Sequence, residues 1–115
     1  MTSILCSFVV FVNSFFNAEI IGKWSFQTDQ GTVAVEFKTD NTYLVDFGVD
    51  GQIDITGNYT LESDQITLQD ISGANMCGEK ATYTVKIEGT TLTLTKVKDD
   101  CPGRGDLGQM VMTKM

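Results

Sequence analysis

The chain reads as eight short runs in which apolar and polar residues alternate, the first opened by Gly22-Lys23-Trp24. A period of two puts every second side chain on the same face, which is the signature of a half-buried β-strand. The first run, Gly22 to Gln27, turns Trp24 and Phe26 to one face. Thr32 to Lys38 follows, with Val33, Val35 and Phe37 inward and Glu36 and Lys38 outward. Thr39-Asp40-Asn41 turns the chain into Thr42 to Phe47, with Tyr43, Val45 and Phe47 aligned. Gly48-Val49-Asp50-Gly51 supplies the next reversal, because Asp-Gly is a strong hairpin signal. Gln52 to Leu61 then sets Ile53, Ile55, Tyr59 and Leu61 against Asp54, Thr56, Asn58 and Thr60. Gly57 falls on the inward set, where a glycine marks a bend or bulge.

Beyond the Glu62-Ser63-Asp64 turn come Gln65 to Ile71, a loop from Ser72 to Glu79, and Ala81 to Ile87 with Tyr83, Val85 and Ile87 aligned. Glu88-Gly89-Thr90 turns into Thr91 to Val97, where Leu92 and Leu94 sit between threonines. A loop from Asp99 to Gly108 leads to Gln109 to Thr113, with Met110 and Met112 on one face. Helical periodicity is missing after residue 19, and threonine-rich outer faces suit the pleated surface. The expectation is an all-β, up-and-down antiparallel eight-stranded β-barrel. Closure removes the two edges that so thin a sheet would otherwise expose.

The segment before these runs is different. Ile4 to Val12 is an apolar stretch, and no charged side chain occurs before Glu19. It is shorter than the about 20 apolar residues that span a bilayer, and it fits the hydrophobic region of a secretory signal. Residues 1–18 are therefore read as a signal peptide, cut after Ser14 or Ala18, and residues 19–115 as one domain with no membrane span. A secreted or periplasmic location follows. Of the three cysteines, Cys6 leaves with the signal. Cys77 and Cys101 remain, an even pair that reads as one disulfide in an exported domain. It would close a loop of about 25 residues and stabilise the fold by about 3 kcal/mol.

Composition excludes several kinds of chemistry. The chain has no histidine, so the commonest general base and metal ligand is missing. Two paired cysteines complete neither a zinc site nor a nucleophile. Asp99 and Asp100 are adjacent on a loop, which is not the arrangement of a carboxylate pair flanking a glycosidic bond. The chain is read as not an enzyme and as needing no cofactor. Its net charge of −7 includes eight acids and no Lys or Arg between Thr39 and Glu79, so no basic footprint for nucleic acid exists there. Asp46, Asp50 and Asp54 surround Gly51 with a spacing near that of a calcium loop. Gly48 breaks the pattern and no glutamate follows at the twelfth position, so no metal is expected. Asn58-Tyr59-Thr60 is a glycosylation sequon on an outward position, and Arg104-Gly105-Asp106 is a tripeptide that integrins read.

Three segments carry a resemblance. Ile21-Gly22-Lys23-Trp24, Gly57-Asn58-Tyr59-Thr60-Leu61 with Asp64 and Ile66-Thr67-Leu68, and Leu92-Thr93-Leu94-Thr95-Lys96-Val97 together resemble small lipocalin-like domains of the calycin superfamily. The closing Asp100-Cys101-Pro102-Gly103-Arg104 is similar to a short secreted subfamily. The resemblance implies a barrel that binds a small apolar molecule at one mouth. It also implies that Trp24 packs at the closed end beneath a late arginine, a place Arg104 would take as a structural residue. The chain is shorter than a full lipocalin and leaves no residues for the C-terminal helix, so the expected pocket is shallow and near a rim. Tyr43, Phe47, Tyr59, Tyr83, Met110 and Met112 are the residues expected to line it, or else to fill the core. A protein-binding module, such as a secreted protease inhibitor, is the other reading. There the rim loops Ser72 to Glu79 and Asp99 to Gly108 would meet the partner.

Overall fold

Alternation and short turns produce a closed ring of strands in the computed structural model, which describes residues 19–73, 76–102 and 104–115. The strands are β1 (Gly22–Thr28), β2 (Gly31–Phe37), β3 (Thr42–Phe47), β4 (Ile55–Glu62), β5 (Gln65–Gly73), β6 (Ala81–Glu88), β7 (Thr91–Lys98) and β8 (Gln109–Lys114). A single 3-10 turn, Gly105–Leu107, precedes β8. Each strand pairs antiparallel with the next, and β8 returns to β1. The architecture is thus an all-β, up-and-down, eight-stranded barrel, consistent with a calycin-like fold. The proposed signal peptide, residues 1–18, and Cys6 within it lie outside the described residues. No helix among the described residues is long and apolar enough to cross a membrane.

The inward set forms one core. Trp24, Val33, Val35, Phe37, Tyr43, Tyr59, Ile66, Leu68, Tyr83, Val85, Leu92, Leu94, Met110 and Met112 are all buried in it. An eight-stranded barrel is just wide enough for side chains to fill, and these do so. Phe37 and Tyr59 meet edge-on with ring centroids 5.2 Å apart, a favourable aromatic geometry. The Tyr59 hydroxyl donates to the Lys38 carbonyl at 2.7 Å, so its polar tip leaves the apolar interior satisfied.

The start of β1 lies at one end of the barrel, which is plugged. Ile20 is fully buried there, and its carbonyl accepts the Trp24 indole N–H at 2.9 Å. The cation over the Trp24 ring is Lys114, with Nζ 4.9 Å from the ring centre and 3.1 Å from the Ile21 carbonyl. The arginine expected there from the family resemblance is elsewhere. Arg104 follows the end of β7, and odd-numbered strands all run the same way, so it belongs to the opposite end. Trp24 and Arg104 lie at opposite ends of the barrel and are not partners.

The long fourth run is also shorter than its pattern suggests. β4 begins at Ile55, and Ile53 is 49% exposed rather than inward. Aspartates explain this. Asp46 accepts the amides of Asp50 and Gly51, Asp50 accepts that of Gln52, and Asp54 accepts that of Phe47. Side-chain oxygens thereby replace ladder partners, and the chain loops instead of pairing.

Candidate functional site

Two features stand out against the filled interior: a buried polar cluster at the end opposite Trp24, and a cleft through the barrel wall. The cluster begins with a cross-strand row. Tyr43 on β3 pairs with Gly57 on β4, which pairs with Asp70 on β5. All three positions face inward. A Cβ on residue 57 would overlap the Tyr43 ring and lie 2.5 Å from the Gln69 carbonyl oxygen. Glycine leaves the space that the phenol crosses, and the Tyr43 hydroxyl donates to the Asp70 carboxylate. The ladder also shifts register between Thr56 and Gly57, the bulge expected of an inward glycine.

Tyr83 on β6 makes a matching bond to Asp99, just beyond β7. Arg104 lies between the two acids. Its Nε donates to Asp99 Oδ2 at 2.6 Å and its Nη2 to Asp99 Oδ1 at 3.3 Å. Its Nη1 is 3.5 Å from Asp70 Oδ1, and Nη2 also points at Cys101 Sγ from 3.1 Å. Main-chain donors complete both carboxylates: Cys101 N–H donates to the same Asp99 Oδ1 at 3.0 Å, and Cys77 N–H to Asp70 Oδ2 at 3.4 Å. The Cys77–Cys101 disulfide ties the same two loops together. Gly105 closes against the cluster, since a Cβ there would overlap the Asp99 carbonyl.

Asp70 is 5% exposed and Asp99 6%, so their charges are largely out of water. Burial pushes the Asp99 carboxyl up, but the bonds from Arg104, Tyr83 and Cys101 outweigh it and hold the group below the usual carboxylate range. Burial and the Asp70 carboxylate push the Tyr43 phenol well above its ordinary value; burial and Asp99 do the same to Tyr83. Both phenols therefore stay protonated donors. Burial alone would lower Arg104, and the two carboxylates raise it instead. Every buried side-chain polar atom among the described residues has a partner. Among the described residues the cluster is thus a hydrogen-bonded brace with its buried polar atoms paired.

The cleft lies where the barrel closes. Pairing between β1 and β8 comprises only Trp24↔Lys114 and Ser25↔Thr113. Above this point the strands part around a cleft of about 300 Å³ lined by Ser25, Phe26, Gln27, Leu107, Gln109, Met110, Val111 and Thr113. Phe26 and Met110 come from the inner face of the wall, and Gln27 and Val111 from the outer. The cleft thus runs from solvent towards the core.

The residues expected to line a mouth are placed as follows. Tyr43 and Tyr83 meet in the buried cluster; Tyr59, Met110 and Met112 are core. Met110 alone among the six also lines the cleft. Phe47 is 48% exposed at the end of β3. The structure does not bring the six together around one pocket. Sequence reasoning missed Asp70 as a buried partner, although its alternation with Ile66 and Leu68 puts it on the inner face. Asp46, Asp50 and Asp54 do converge, with carboxylate oxygens within 4.8 Å of one another, and they cap loop amides. Comparison with protein-family models, curated proteins and solved structures found no match.

Proposed function

We propose that this chain is an exported lipocalin-like barrel that binds a small apolar or amphipathic molecule, and that the molecule enters the β1–β8 cleft. The observation that carries the reading is the cleft itself. Its volume of about 300 Å³ is at the lower end for small-molecule sites. Its lining is divided evenly between apolar Phe26, Leu107, Met110 and Val111 and neutral polar Ser25, Gln27, Gln109 and Thr113, which suits an amphipathic molecule better than a purely apolar one. The barrel axis is filled by tyrosines and methionines, so the wall is the available route. The Cys77–Cys101 disulfide is compatible with an oxidising compartment, which supports export.

A dye whose emission rises in apolar surroundings tests this. Saturable emission, displaced by dodecanoate and lost in Val111→Asp, is the expected result. Val111 is exposed, so the substitution leaves the core intact. Dye binding unaffected by Val111→Asp places the site elsewhere, and absence of saturable binding refutes the reading.

One observation favours protein binding as a second reading. Beyond β5 and β7, the Cys77–Cys101 disulfide joins the two connecting segments, Arg104 bonds to Asp99, and Met76 and Leu107 stand exposed beside them. Rigid loops lose little entropy on docking. Inhibition in a panel of proteases, abolished by reducing the disulfide, would select this reading.

A further inference from the structure

We infer that the preferred occupant of the β1–β8 cleft is a short, uncharged peptide segment in extended conformation, which continues the sheet by pairing with the free edge of β1. This rests on the reading of the cleft as a binding site and names its ligand class.

The argument comes from main-chain direction. Met115 N–H donates to the Lys23 carbonyl at 3.0 Å, so Lys23 aims its main chain towards β8. Main-chain direction alternates along a strand, so Ser25 and Gln27 aim the same way. On β8, Lys114 N–H turns away to the Thr90 carbonyl at 2.8 Å. Thr113, Val111 and Gln109 therefore aim at β1. Ser25 and Thr113 meet as a ladder pair. In that register Phe26 would come opposite Met112 without exchanging main-chain bonds, and Gln27 with Val111 would be the next hydrogen-bonded pair; the ladder stops before both. Both walls of the cleft consequently present main-chain donors and acceptors to whatever fills it.

That distinguishes ligand classes. An acyl chain entering the cleft displaces water from Gln27 and Val111 and returns no hydrogen bond, which is unfavourable for each group left unpaired. An extended peptide returns both. Strand addition of this kind takes affinity from main-chain bonds and selectivity from alternate side-chain pockets. Here the inward pocket is formed by Phe26 and Met110, which suits a small apolar side chain. None of the eight lining residues is charged, so the cleft matches a neutral segment and offers no counter-charge to an ionic one. The free stretch of β1, Phe26 to Thr28, spans about 10 Å, room for about three residues.

The test uses a capped, uncharged pentapeptide that alternates valine and threonine, with the same peptide N-methylated at alternate amides and dodecanoate as comparisons. The full chain is titrated with each and followed by amide hydrogen exchange. The peptide is expected to slow exchange at Gln27 and Val111. N-methylation is expected to weaken binding about tenfold or more, as loss of main-chain bonds requires. Gln27→Pro removes an N–H that faces the cleft and not β2, so it is expected to keep the barrel's circular dichroism and lose the peptide. Equal binding of the N-methylated peptide would overturn the inference whatever the proline variant does. Binding of dodecanoate without the peptide would overturn it while leaving the proposed function standing. Failure of the dye, dodecanoate and the peptide alike would remove both.

Discussion

Arg104→Met removes the one cation that two buried carboxylates share and keeps most of the apolar stem. Breaking a buried ion pair by deleting one partner typically destabilises by about 3–5 kcal/mol, because a charge is left without compensation. The structure puts this case at the lower end, about 3 kcal/mol. Asp99 keeps the Tyr83 hydroxyl and Cys101 N–H, and Asp70 keeps the Tyr43 hydroxyl and Cys77 N–H. The major loss is the close Arg104–Asp99 contact at 2.6 Å; the Asp70 contact, at 3.5 Å, contributes less. For a domain of this size the melting point should fall by about 15 °C. Thermal and urea unfolding at pH 7 and pH 5 is the assay. In the parent protein Asp99 titrates below its unfolded value, so its stabilisation is present above about pH 4 and is lost as pH falls through the folded value. In the variant the Arg104 bonds and charge no longer hold the Asp99 carboxyl down, so its folded value rises from the depressed one. The variant therefore loses less than the parent does on acidification. The gap between parent and variant should therefore narrow from pH 7 to pH 5. A loss below about 1 kcal/mol at pH 7, or a gap unchanged at pH 5, would refute the shared-cation account.

Gly57→Ala should destabilise by about 1–3 kcal/mol through overpacking, and pairing it with Tyr43→Phe, which leaves the ring in place, should not rescue it; denaturant midpoints decide. A Cys77→Ser, Cys101→Ser double variant should lose about 3 kcal/mol in the same assay, and reduction of the parent should lower its melting point to a similar extent.

The strands were legible because one face of each meets the core and the other meets water, so alternation survives in the residues themselves. Trp24 and Phe26, Leu92 and Leu94, and Met110 and Met112 each announced an inner face. The cluster was less legible because its members disobey that rule. Asp70 is an acid in an apolar slot, and its partner Arg104 is 34 residues away in the chain. Only the crossing of Tyr43 over Gly57 shows why an acid is tolerated there. Arg104 itself was expected at Trp24 by resemblance. The Cys77–Cys101 link holds its loop at the far end, and Lys114 takes the cation's place over the indole. Nothing in the alternation marks the cleft, since β1 and β8 each read as ordinary strands; it arises from how few residues they share.

The junction of β1 with β8 also orders events in time. Lys114 and Ile21 are 93 residues apart in the chain, so the ring can shut only after a long loop has been drawn in, whereas each earlier hairpin forms between neighbours. Until then β1 and β7 are raw margins able to join those of another copy. A molecule caught at this stage would be an open ribbon, and crowded surroundings would select for rapid arrival of the eighth strand.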